Sequence, residues 1–284
     1  MKTFLVPIDF SANADHAASF AIALAVSYDA KIIFFHTTST LVPTSAPLGV
    51  YEKTLSEVAE QKTLQLSMHV QEVFRNQHIK NKPQFELVVK ESITLVDALA
   101  DYIAHTPVSM VIMGTRGETN LTTKLFGSNT SNLIRKSLRP VLAIPANHSY
   151  KHIKHIAVAT DLEHPEKDIE KIIDLAKLFG ATIDLMYIYP VFPPNIDIES
   201  FDNDLVLTNL REKFDYPNIQ LHFVYTDSDN DVAKGINLFV KAYKPQLLVM
   251  YRHQRTWWEK LLDSSYSEQE ALETNIPLLT IPIK

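Results

Sequence analysis

Three of the six glycines in this 284-residue chain stand in one stretch, GTRGETNLTTKLFGS at 114–128. Their spacing is Gly114-x2-Gly117-x9-Gly127-Ser128, with an apolar run before it and a helical pattern after it. Glycine tolerates a left-handed backbone and lets main chain approach a ligand with no Cβ in the way. Gly114 and Gly117 would turn the chain tightly. Gly127-Ser128-Asn129-Thr130 would open a helix, whose free N–H groups and positive dipole end suit a phosphate. The hydroxyls of Ser128 and Thr130 would add donors, and Arg116 would pair with charge. The same spacing also fits a loop of ordinary turn glycines with a serine N-cap. Spacing alone leaves both open.

Other phosphate chemistry is excluded by the letters. There is no GxxxxGK[ST], because Lys124 precedes Gly127 rather than following it, so this is not a P-loop nucleotidase. Neither G-x-G-x-x-G nor an SGGxDS-type loop follows the first apolar run. Ser128 has no histidine or carboxylate partner close in sequence. His152 and His155, in KHIKH, lack a third ligand nearby and read as solvated surface, so no metal is expected. The chemistry in view is binding rather than turnover.

The elements that must position these residues occur twice. FLVPIDFSANADHAASFAIALAVSYDAKIIFFHT opens the first half and HIAVATDLEHPEKDIEKIIDLAKLFGATIDLMYI the second, each with an apolar run ending near an aspartate, Asp9 or Asp161. The closing stretches are both 35 residues long, beginning VIMGTRG and LVMYRHQ, and both end in Pro-apolar-apolar-x-Ile-Pro. The chain is a duplication, with domains at 1–146 and 152–284 joined by the polar ANHSYKHIKH. In the first copy, strands are predicted at Phe4–Ile8, Ile32–Phe35, Phe85–Val89, Val108–Met113 and Val141–Ile144. Helices are predicted at Ala14–Ser27, Tyr51–Gln77, Thr94–His105 and Ser128–Ser137. Continuous apolar strands alternating with helices imply parallel crossovers. Each copy should therefore be an α/β, open, doubly wound five-stranded parallel sheet with helices on both faces. The second copy should match, with a shorter second helix around Ser200–Phe214. Ligands of such sheets sit beyond the carboxyl ends of the strands. Asp9, Thr37 and the 114–128 loop should thus share one crevice.

Composition narrows the partners. The chain is 46% apolar and 21% charged, with no cysteine and no apolar run long enough to cross a bilayer. MKTFLVPIDFS meets Pro7 and Asp9 too soon for a signal peptide, so a cytoplasmic location is the expectation. The net charge of −6 is uneven: residues 1–149 hold 13 Lys+Arg against 12 Asp+Glu, the remainder 14 against 21. Without a basic stripe, neither nucleic acid nor membrane is an expected partner. An anion would suit the first copy better.

VIMG, the three-glycine spacing, the following RPVLAIP and the opening PIDFS resemble the universal stress protein family, and the resemblance covers both copies. In that family's nucleotide-binding branch the glycine loop holds the ribose and phosphates of ATP. The resemblance implies a nucleoside pocket of Pro7, Asp9 and Thr37. It implies a phosphate site of Met113, Gly114, Arg116, Gly117, Gly127, Ser128, Asn129 and Thr130. ATP or a related adenine nucleotide, with or without Mg²⁺, is the implied ligand, in a regulatory or stress-protective role. A scaffold that binds no nucleotide, slow ATP hydrolysis and self-phosphorylation are the alternatives. The family often has a glycine just after strand three, where this chain reads VVKES. The second copy has lost the loop: Tyr251, His253, Gln254 and Ser264 replace Gly114, Arg116, Gly117 and Gly127. Trp257-Trp258 fall within it, read as cover for a core edge or as a partner anchor. Family members dimerise through their final strands. The uncharged edges VLAI and LLTI are expected to pair copy one with copy two, with a homodimer of whole chains also implied.

Overall fold

The computed structural model describes residues 2–39, 47–77, 79, 81–115, 126–146, 148, 150–189, 201–226, 231–252 and 275–282. It divides into two compact units, one from residues 1–120 and 127–150, the other built on residues 151–284.

The first unit runs β1 (Thr3–Pro7), α1 (Ala12–Tyr28), β2 (Lys31–Thr38), α2 (Leu48–Asn76), β3 (Phe85–Glu91), α3 (Leu95–His105), β4 (Met110–Gly114), α4 (Ser128–Lys136) and β5 (Val141–Ile144). Its strands are parallel in the order β3-β2-β1-β4-β5. The chain order therefore reverses between β1 and β4, the switch point at which such sheets open a crevice. The strands are apolar on both faces, and Leu5, Val6, Ile32, Phe34, Phe35, Val111 and Ile112 are fully buried. That burial is why they read as continuous runs rather than as alternation. α1 meets the sheet with buried Ala14, Ala17, Ala18, Ala21 and Ala25, small side chains that let helix and sheet approach closely. Its first turn is capped by the Ser11 hydroxyl, which accepts from the amide of Ala14 at 3.2 Å.

β2 runs three residues beyond the predicted Phe35. Polar His36, Thr37 and Thr38 look like an ending, but they continue the ladder in register with Val89, Lys90 and Glu91 of β3. β3 is an edge of this unit's sheet, and its Glu86, Lys90 and Glu91 supply the charges that guard such an edge.

The second unit repeats the order as β6 (His155–Ala159), α5 (Pro165–Glu170), α6 (Ile173–Phe179), β7 (Thr182–Tyr189), α7 (Asn203–Phe214), β8 (Ile219–Tyr225), α8 (Val232–Tyr243), β9 (Leu247–Tyr251) and β10 (Leu278–Ile281). These strands lie parallel as β10-β9-β6-β7-β8, the same arrangement as in the first unit. The duplication reaches into the backbone. Phe10 and Leu162, each following the aspartate after the first strand, are both left-handed, with φ of 64° and 61°. The first helix ends in a left-handed residue in both units, Asp29 in one and Gly180 in the other.

One difference between the units corrects the expectation of matching copies. Where the first unit has the single helix α1, the second has two short pieces, α5 and α6. A contact from across the unit meets the chain at this break. The Tyr251 hydroxyl donates to the carbonyl of Asp168. In an unbroken helix that carbonyl would serve the amide of residue 172. The Ile172 amide instead donates to Ile169 at 2.9 Å, and the helix breaks there.

Candidate functional site

At the switch point of the first unit, Pro7, Asp9, Thr37, Met113, Gly114, Gly127, Ser128, Asn129 and Thr130 line one cleft. Ile8, Ala14, His36 and Leu95 complete its walls. Arg116 and Gly117 lie outside the described residues, as do Gln254, Trp257, Trp258 and Ser264 of the second unit.

Asp9 sits in the turn between β1 and α1. Its Oδ1 accepts from the Ser11 amide at 3.0 Å and from the Ser11 hydroxyl at 2.5 Å. This turn is the Asx type that a short carboxylate makes with its own backbone two residues on. The side chain is thereby held at the cleft wall, and among the described residues Oδ2 has no hydrogen-bond partner. The turn needs a left-handed residue, and Phe10 provides it. A bulky residue with such a φ is sterically costly.

Thr37 comes near the end of β2. The Ile32 amide donates to the carbonyl of Gln84, beside β3, and the Thr38 carbonyl accepts from Ser92. Alternation along the ladder therefore turns the N–H and C=O of Thr37 away from β3 and toward β1. The last β1–β2 bond runs from the Ile8 amide to the Phe35 carbonyl. The carbonyl of Ile8 is occupied by His36, whose Nδ1 donates to it at 2.7 Å. Thr37 thus keeps both main-chain groups at the cleft, with no bond to β1.

β4 ends at Gly114, and α4 starts after Gly127. Two bonds hold these ends together: the Gly127 amide donates to Thr115 at 2.7 Å, and the Thr130 hydroxyl donates to Gly114 at 2.9 Å. The Thr130 hydroxyl is consequently buried and committed to the scaffold, and is not the free donor expected from its position. Gly127 has φ −69°, a backbone any residue adopts, so what it offers is the missing Cβ rather than handedness. The first full helical bond is from Ser131 to Gly127, which leaves the amides of Ser128, Asn129 and Thr130 without helical acceptors. Ser128 and Asn129 are both exposed at this end, and both line the cleft.

The third wall follows the sequence, which has VVKES where the family often has a glycine. β3 continues through Lys90 and Glu91, and Leu95, at the start of α3, faces the cleft. The strand there is ordinary edge ladder, and an apolar side chain does the walling.

His36 and Leu95 are additions that motif spacing does not single out. A signal for His36 is present in the sequence: an imidazole directly following the buried run IIFF must find a partner. Burial is the main cause that lowers its pKa below the usual 6.5, Lys62 pushing the same way while the Ile8 carbonyl and Asp9 push back.

In the second unit two tyrosines stand at the corresponding register positions. Register places Tyr251 where Gly114 stands and Tyr187 where His36 stands, and both are buried. Asp168, itself buried, accepts from the Thr160 hydroxyl at 2.7 Å and lends its carbonyl to Tyr251. Asp161 keeps the local turn, accepting from the Glu163 amide at 3.1 Å. The two linker histidines part company: His152 lies edge-on to Phe179, and His155 donates to the buried Asp184 at 3.0 Å. Among the described residues, no cluster of histidine and acidic side chains has the geometry to hold a metal ion, and no helix is long and apolar enough to cross a membrane.

A model of the universal stress protein family matches residues 1–145 and again 152–282. A universal stress protein of Mycolicibacterium smegmatis is 25% identical over 296 residues, covering 98% of this chain and 96% of its own. Among solved structures, a universal stress protein from Archaeoglobus fulgidus superposes with a TM-score of 0.62 at 15% identity, over 99% of this chain and 96% of that one. One assigned to the same family from Pseudomonas aeruginosa UCBPP-PA14 gives 0.55 at 12% identity, over 99% and 93%. At those identities the structural likeness speaks for the fold alone.

Proposed function

The chain belongs to the universal stress protein family, and from that premise we propose that its first unit binds ATP or a related adenine nucleotide, in a regulatory or stress-protective role. One observation carries the reading. Nine residues singled out by motif spacing and family resemblance, from Pro7 to Thr130, line a single cleft at the switch point. The groups there suit the parts of a nucleotide. The free amides at the start of α4 and the dipole behind them favour phosphate. The second carboxylate oxygen of Asp9 suits a sugar hydroxyl, and the main-chain N–H and C=O of Thr37 can pair with a base edge.

Calorimetry with ATP, ADP, AMP and cyclic AMP tests this directly. Gly127→Val places a branched side chain where the phosphates would approach, and should weaken binding by about tenfold or more. Wild-type affinity in a folded Gly127→Val variant would remove the phosphate assignment. ATP left with the protein should persist. Steady release of phosphate, abolished by Asp9→Asn, would instead mark an enzyme.

For the second unit, the scaffold reading is favoured by Tyr251, a buried aromatic at the register position of Gly114. The expected pairing of the final strands stays part of this proposal, on the uncharged sequences of β5 and β10. Crosslinks placing the two strands far apart would refute the pairing.

A further inference from the structure

The turn that carries Asp9 is braced from two sides, and the brace is peculiar to the first unit. From β2, the His36 imidazole donates through Nδ1 to the Ile8 carbonyl at 2.7 Å and lies against the Phe10 ring, 4.7 Å between centroids. From α2, His69 meets the same ring edge-on at 5.2 Å. His69 is itself fixed by Nε2 to the Asp15 carboxylate at 2.6 Å, and the Lys62 ammonium stands 5.9 Å from the Phe10 ring. A residue in a costly left-handed conformation, flanked by Asp9 and Ser11, is thus clasped between two imidazoles.

The second unit serves as an internal control. Its turn has the same left-handed residue, Leu162, with a tyrosine rather than an imidazole at the register position of His36. Register puts Tyr187 in the place of His36, and α7 contains no histidine. Among the described residues, histidines on both sides of the turn accompany the cleft of the first unit. The bend belongs to the fold, whereas the brace accompanies the site.

We propose that His36 is a positioning residue of the nucleotide cleft: acting through the Ile8 carbonyl and the Phe10 ring, it holds the Asp9 turn in the pose that meets the ligand. This rests on the nucleotide reading of the cleft. The physical argument is that an orphaned carbonyl and a strained neighbour would otherwise let the turn sample other conformations, and a ligand must then stabilise one of several. What His36 has to supply is a donor at the Nδ1 position, and asparagine carries an N–H at that same distance along the side chain.

The experiment compares wild type, His36→Leu and His36→Asn in two measurements made well below their melting temperatures. One is the affinity for ATP, and the other is hydrogen exchange at the amides of Phe10 and Ser11. The leucine variant should bind about tenfold more weakly and exchange faster at the turn, while the asparagine variant recovers most of both. Should the leucine variant not fold, His36→Gln, whose amide sits one carbon further out, replaces it. Unchanged exchange in the leucine or glutamine variant would overturn the brace. Faster exchange with unchanged affinity would overturn its part in binding, as would an asparagine variant no better than leucine. If wild type binds no nucleotide, the ligand assignment fails, and with it the part of His36 in binding. The exchange comparison would still decide whether His36 holds the turn.

Discussion

His36 is buried with its pKa held below 6.5, chiefly because a charged imidazole would lose its water. As the pH falls through 6.5, the unfolded chain protonates this residue while the folded chain resists. Its contribution to stability is therefore level above pH 6.5 and declines below it, until the folded pKa is reached. Thermal unfolding at pH 7.5 and 5.5 should show a larger loss for wild type than for His36→Asn. An equal loss in both would mean that this imidazole titrates normally. At this scale the sequence is informative where residue type is chemically constrained, as at Asp9, Thr37 and Gly127. It is silent where a residue does something its type disfavours. The left-handed bend beside the cleft is made by Phe10, a residue from which no one would infer it, and Gly127 has an ordinary backbone. His36 is easily missed because the polar residues after Phe35 look like the end of a strand.

At the scale of elements, β-strand cores and the long helices follow from apolar runs and periodicity, because burial on both faces or along one stripe dictates them. Boundaries are less legible where polar residues extend an element, as in β2, since their partners come from elsewhere in the fold. The break between α5 and α6 cannot be read locally at all. No glycine or proline near Lys171 stops a helix, and the contact found at the break comes from a hydroxyl on β9, 83 positions from Asp168. Burial also raises the pKa of that Tyr251 hydroxyl, keeping it a donor throughout the physiological range. Tyr251→Phe should cost about 1–3 kcal/mol by stranding the Asp168 carbonyl. Denaturant midpoints would measure that loss, and a variant as stable as wild type would show that the bond holds nothing together.

At the scale of the molecule, one duplicated fold carries two different interiors. The first unit has a cleft at its switch point and a near-neutral charge, while the second buries tyrosines at the matching register positions and carries the net negative charge. Titration should accordingly find one nucleotide per chain, and Gly127→Val should weaken that single binding event by about tenfold or more. Two equivalent sites per chain would mean that Tyr251 yields to the ligand. That tyrosine also has a practical consequence. It contributes both volume and a donor, the hydroxyl that meets the Asp168 carbonyl. Replacing it with glycine would remove both at once, leaving a hollow in the core of the second unit and loosening its hold on α5. A phosphate site is therefore not grafted onto this unit by one substitution: the change that makes room also weakens the walls around it.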